Sequence, residues 1–202
     1  MERTNGAVYQ FRVTLRDVMP PVWRRIQIGE NVTLEELHRV LQIALGWQDC
    51  HLHEFTIGKR AYGVPDLDDP MSGHTVVDER RTRLSEVGLR VGESFRYLYD
   101  FGDGWEHDVL LEAIVMPEPE GKYPVCLAGE RAAPPEDVGG VPGYENYREA
   151  LRDPAHEEHE DLLAWRGPFD PEAFSAEQVN RILWRKTGAK KSAVRKSARG
   201  AR

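Results

Sequence analysis

The chain has 202 residues, 40% of them hydrophobic and 9% aromatic, which is enough to bury a core. Its net charge of −7 hides an asymmetry: Arg185 to Arg202 holds eight Lys or Arg and no acid, leaving 19 cations against 34 acids before it. The body is therefore acidic and repels nucleic acid, so any weak, nonspecific nucleic-acid binding is expected from the tail at 185–202. No run of about 18 apolar residues is present, which excludes an apolar spanning helix, and the N-terminus lacks the apolar stretch of a secretory signal. A cytoplasmic protein with no membrane association is the expectation. Two cysteines, Cys50 and Cys126, cannot make a disulfide framework.

Val8 to Arg16 and Val22 to Ile28 alternate as strands and read as a hairpin. Thr33 with Glu36 forms a capping box, opening a helix whose Leu34, Leu37, Leu41, Ala44 and Leu45 fall on one stripe and which Gly46 ends. Leu52 to Ile57 is a third strand, followed by a Pro/Asp/Gly loop from Gly63 to Gly73 and a short strand at Thr75 to Val77. Thr82 to Leu89 reads as a helical turn, Ser94 to Phe101 and Trp105 to Val115 as two aromatic strands. After Met116 the chain turns to loops and helices, at Tyr144 to Arg152, His156 to Trp165 and Ser175 to Trp184, with Ser175 and Gln178 as a second capping box. This order predicts an α+β fold, a β-grasp-like mixed sheet packed on a helix with a helical C-terminal extension. The expected divisions are a core at 1–116, a loop-rich and helical extension at 117–184 packed on it, and a disordered basic tail at 185–202.

The most distinctive stretch is Tyr97 to Asp108, with Gly102, Asp103 and Gly104 supplying turn chemistry between the aromatic strands. A three-residue loop with Gly104 left-handed would oppose Phe101 to Trp105, Tyr99 to His107 and Tyr97 to Val109, and would project Asp100, Glu106 and Asp108 together on the other face. Tyr97, Tyr99, Asp100, Asp103, Trp105, Glu106 and His107 are then the candidate binding surface, beside the strand at His51 to Glu54.

PPVWRRI at Pro20 to Ile26, HLHEF at His51 to Phe55, YDFGDGWEH at Tyr99 to His107 and PPEDVGGVPGYE at Pro134 to Glu145 stand in order along the chain. In these motifs the sequence resembles the plasmid pRi ORF-three-like family, also labelled insertion-element passenger or TnpR-like, over roughly Val8 to Leu183. The resemblance implies no particular reaction, cofactor or catalytic residue, and the association with mobile elements is not a recombination mechanism. Relatives often carry extra cysteines where this chain has Ala133 and Val138.

The leading expectation is a binding or adaptor domain with a protein partner and no cofactor, more a non-enzyme than an enzyme. The alternative is a metal-dependent hydrolase or nuclease that holds a divalent metal on His51, His53, Asp100, Asp103 and His107, whose imidazoles and carboxylates suit zinc, manganese or iron. Strand alternation would put His51 and His53 on one face. The run at His156 to Glu160 could bring His156, His159 and Glu160 onto adjacent helical turns, but an acidic run of this kind reads first as a solvated face. Cys50 beside His51 reads poorly as a nucleophile and base, because neighbours on a strand point to opposite faces. The glycines at Gly139 to Gly143 lack the Lys-Ser/Thr of a phosphate loop and read as a structural turn packed on the sheet.

Overall fold

The computed structural model describes residues 6–65 and 75–188. It is an α+β protein in which eight strands form one mixed sheet. The strands are β1 (Val8–Leu15), β2 (Trp23–Gly29), β3 (His53–Ile57), β4 (Arg60–Gly63), β5 (Val76–Asp78), β6 (Ser94–Tyr99), β7 (Trp105–Val115) and β8 (Val125–Glu130). Their order across the sheet is β5-β4-β3-β6-β7-β1-β2-β8. β4 and β5 pair in parallel, whereas β1–β2, β6–β7 and β1–β7 are antiparallel. The helices are α1 (Leu34–Leu45), α2 (Gly140–Arg152), α3 (His159–Arg166) and α4 (Ala176–Thr187).

Alternation decides the layering. On β1, Val8, Phe11, Val13 and Leu15 are buried, while Gln10, Arg12 and Thr14 between them are only partly covered. The outward row is polar and paired: Arg25 grips Glu112 through two bonds of 2.6 and 2.8 Å, and Glu106 meets Arg16 at 2.6 Å and Arg96 at 3.1 Å. The inward row meets α1, whose stripe of Leu34, Leu37, Val40, Leu41, Ala44 and Leu45 is buried. The capping box forms as the sequence predicts, with Thr33 Oγ1 accepting from Glu36 N and Glu36 Oε2 from Thr33 N. Gly46, at φ 88°, closes the helix in the left-handed conformation that glycine tolerates best.

Two strands went unpredicted. β4 is four residues long, and β8 follows a proline in a stretch that reads as loop. β8 nevertheless pairs with β2, so the sheet draws a strand from beyond Met116. α4 lies over β8, with Asn180 bonding both the Cys126 amide (2.7 Å) and its carbonyl (2.8 Å). That helix runs to Thr187, so Arg185 and Lys186 of the expected tail are helical, and 189–202 lie outside the described residues. Most of the Gly63 to Gly73 loop lies outside them too.

The β6–β7 register also differs from expectation. Tyr99 faces Trp105, Tyr97 faces His107 and Phe95 faces Val109. The turn is longer than three residues because Asp100 itself leaves the strand, at φ 56°. Its Oδ1 accepts from Gly102 N at 2.9 Å and Asp103 N at 3.3 Å, and its carbonyl accepts from Gly104 N at 2.7 Å. Gly104 is left-handed as expected, at φ 70°. A two-residue shift keeps the paired aromatic residues of β6 and β7 on one shared face, which points inward, but Asp100 leaves the outer row and Phe101 becomes an exposed turn residue.

Candidate metal centre

The proposed aromatic surface is not a surface. Tyr97, Tyr99, Trp105 and His107 are all 0% exposed. The same alternation that made them look like a binding face turns them into the core beneath α1. His107 packs with Trp47 and Tyr97, each ring centroid 5.3 Å away, rather than opposite Tyr99. Its Nδ1 is 3.2 Å from the Tyr97 carbonyl, and burial pushes its pKa down to about 4. Glu106 and Asp108 lie on the outer face near Arg16, without Asp100.

His53 is likewise separated from His51. β3 begins only at His53, and Asp49, at φ 59°, puts a bend before it, so strand alternation does not extend back to His51. His53 turns inward and stacks on His38 of α1, ring centroids 3.4 Å apart and planes within 2°. His53 Nε2 is 2.8 Å from the buried carboxylate of Glu79, and His38 bridges the Tyr97 hydroxyl (2.8 Å) to Asp49 (2.7 Å). His156 and His159 do not share a helix, since α3 starts at His159, whose Nδ1 is 2.7 Å from the Ala150 carbonyl. Cys126 is buried and its thiol is pushed up to about 11 by that burial.

What does converge is centred on His51. Its Nε2 lies 3.0 Å from Asp137 Oδ1, 3.5 Å from Asp100 Oδ2 and 3.8 Å from Glu136 Oε2. None of these contacts has hydrogen-bond geometry: His51 Nε2 and Glu136 Oε2 are both buried atoms without a hydrogen-bond partner. One ligand atom each from His51, Asp100 and Asp137 lies within 4.8 Å of the others, and the same holds for Cys50, His51 and Glu136.

The two inner carboxylates are held the same way. Asp100 spends Oδ1 on the amides of its own turn and leaves Oδ2 toward His51. Glu136 receives the Gln48 amide (2.8 Å) and the Tyr99 hydroxyl (3.1 Å) on Oε1 and leaves Oε2 toward His51. Burial, with the Glu136 carboxylate adding to it, raises the Tyr99 phenol above its ordinary range, so it stays a donor to Glu136. Anchoring one oxygen and freeing the other is how outer-shell bonds orient metal-binding carboxylates.

Glu136 and Asp137 come from a loop 36 residues away in sequence from Asp100, and Gly139 and Gly140 bring them there. Asp103 Oδ2 accepts from Gly139 N at 3.1 Å. A Cβ on Gly140, at φ 67°, would lie 2.6 Å from the Asp103 carbonyl oxygen, so only glycine lets this loop seat on the β6–β7 turn. Asp103 is thus a docking residue for the loop. Trp47 Nε1 fixes the same loop from the other side by donating to Pro134 O at 2.9 Å. Glu136 also borders a groove of about 650 Å³ between α1, the 132–136 segment and α4, walled by Trp47, Tyr147, Phe169 and Phe174.

Of the five sequence-predicted ligands, the structure brings together His51 and Asp100. It sends His53 and His107 into the core and Asp103 to the loop. The acids missed, Glu136 and Asp137, stand one residue before the Gly-Gly pair, the signal that the segment packs against something.

Fold and centre together define an α+β protein with a histidine and carboxylate cluster open to solvent on the Asp137 side. The chain belongs to the plasmid pRiA4b ORF-3-like protein family, whose model matches residues 7–178. It is 40% identical over 181 residues to an uncharacterised protein, y4hQ, of Sinorhizobium fredii, covering 88% of this chain and 91% of that one. It is also similar to the crystal structure of a protein of unknown function from Methanosarcina mazei Go1, with a TM-score of 0.77 and 40% identity, over 85% of this chain and 96% of that chain. Neither the family's name nor the two relatives' names carry a reaction. Among the described residues no helix is long and apolar enough to cross a membrane.

Proposed function

We propose that this protein is a binding domain built around a divalent cation held by His51, Asp100, Glu136 and Asp137. The observation that carries the reading is a pair of buried atoms without a hydrogen-bond partner, His51 Nε2 and Glu136 Oε2, with Asp100 and Asp137 oxygens also 3.5 and 3.0 Å from His51 Nε2. Such groups cost stability when left without a hydrogen bond, and the Asp100 and Asp137 carboxylates, within 4.8 Å of each other, repel one another. A cation drawn between these side chains, which close on it, relieves both costs. The Asp137 side chain is 63% exposed, which leaves one side of the centre open to a water or to an oxygen atom of a partner. The adaptor function then acts through the metal rather than through the aromatic hairpin.

Calorimetric titration of chelator-stripped protein with Mn²⁺ and Zn²⁺ tests the reading. Binding of one equivalent, lost in His51→Ala, supports it; failure of both ions to bind wild type overturns it.

One observation favours a second reading, metal-dependent hydrolysis: Glu136, an inner carboxylate of the centre, borders a groove in the size range of ligand pockets. Metal-dependent turnover of bis(p-nitrophenyl) phosphate or p-nitrophenyl acetate, absent in His51→Ala, would establish it.

A further inference from the structure

The geometry points to Cys50 as a thiolate ligand of this centre, which makes its cofactor a zinc-class ion rather than Mg²⁺ or Ca²⁺. The inference rests on the cation reading above and deepens it.

Adjacent residues on a regular strand point to opposite faces, which argues against Cys50 and His51 acting on one point. The chain is not a regular strand there. Asp49 is left-handed at φ 59° and β3 starts only at His53, so Cys50 and His51 sit in a bend. The result is that Cys50 Sγ, a ring nitrogen of His51 and a carboxylate oxygen of Glu136 lie within 4.8 Å of one another.

The Tyr99 hydroxyl ties this arrangement together. It accepts from the Cys50 amide at 3.2 Å, lies 3.9 Å from Cys50 Sγ and donates to Glu136 Oε1 at 3.1 Å. One buried phenol therefore positions the backbone of one ligand and the side chain of another. The independent sign that an ion belongs here is Glu136 itself: its side chain is 4% exposed, yet Oε2 has no hydrogen-bond partner and is turned toward His51.

Donor chemistry then selects the ion. Carboxylate and imidazole donors alone would leave manganese, iron and zinc nearly equivalent, and hard oxygen-seeking ions in contention. A thiolate added to imidazole and carboxylate favours zinc and its spectroscopic substitute cobalt(II). On binding, the thiol loses its proton to solvent and the S–H bond is replaced by an S–metal bond, so one proton is released for each ion captured through Cys50. Cys50 is exposed and free to react, whereas Cys126 is buried and its thiol donates to Ala128 O at 3.5 Å.

The test is titration of reduced, chelator-stripped full-length protein with Co²⁺, followed by absorption and calorimetry. Wild type and Cys126→Ser are expected to develop the near-ultraviolet thiolate-to-cobalt charge-transfer band at one equivalent. Cys50→Ser should lack the band and bind Zn²⁺ at least about tenfold more weakly, while its Mn²⁺ affinity changes by less than about threefold. Cobalt binding to wild type without the band, or a band that survives in Cys50→Ser, overturns the thiolate inference and leaves the cation reading intact. Failure of wild type to bind Co²⁺, Zn²⁺ and Mn²⁺ overturns both.

Discussion

Replacing Glu136 with glutamine should have opposite effects on stability with and without metal. The glutamine amide oxygen can keep both bonds that now reach Oε1, from the Gln48 amide and the Tyr99 hydroxyl. At the position of Oε2 an NH₂ group would replace a buried carboxylate oxygen that has no hydrogen-bond partner and is turned toward His51. An unpaired buried acceptor costs about 1 to 3 kcal/mol, and more when charged. In metal-free buffer Glu136→Gln should therefore be more stable than wild type by roughly that amount. A cation at a concentration 100 times its Kd stabilises wild type by about 2.7 kcal/mol. If the variant binds tenfold more weakly, its gain falls by about 1.4 kcal/mol. Urea unfolding at fixed pH, with chelator and then with excess Zn²⁺, measures both differences. A variant less stable than wild type under chelator, or one whose zinc-dependent gain equals that of wild type, would refute the reasoning.

Gly140→Ala combines a positive φ with a Cβ 2.6 Å from the Asp103 carbonyl oxygen, and should cost about 1 to 3 kcal/mol in urea while weakening metal binding, because the loop carrying Glu136 and Asp137 must lift. His38 and His107 have folded pKa values pushed down to about 4 by burial, so between about pH 6.5 and pH 4 the unfolded chain binds more protons than the folded one. Stability is complete above about pH 6.5 and should fall by on the order of 1 to 2 kcal/mol per histidine as the pH drops to 5; a flat urea midpoint over that range would contradict it. Removing 189–202, which takes six of the eight tail cations, should abolish salt-sensitive DNA retention, and an unchanged salt slope would place the binding in the body.

Elements with strong local signals were legible. The capping box of α1 could be read to the residue and its apolar stripe in all but Val40, and alternation grouped residues by face on β1, β6 and β7. β4 and β8 were not legible because short strands flanked by Gly or Pro carry little periodicity, and their pairing partners are distant in sequence. The hairpin register failed for a subtler reason. Asp100 can satisfy turn amides with its own side chain and so tolerates a left-handed backbone, which lengthens the loop and removes Asp100 from the outer row without changing the face of any residue still in the strands. The centre was half legible: His51 and Asp100 lie in conspicuous motifs, but Glu136 and Asp137 reach them only through the seating of Gly139 and Gly140 on Asp103, a tertiary contact. His53 and His107 have the right chemistry for ligands, and only the start of β3 and the burial of the aromatic row remove them.

The stack of His38 on His53 joins α1 to β3 through two parallel imidazoles 3.4 Å apart. At that separation each ring lies in the other's magnetic shielding cone, so the carbon-bound ring protons of both histidines should resonate upfield of those of the partly exposed His156. The ring-current effect falls steeply with distance. These two resonances consequently report how tightly the helix sits on the sheet, and a drift of either toward its random-coil position would reveal α1 lifting away before any change in secondary structure could be seen.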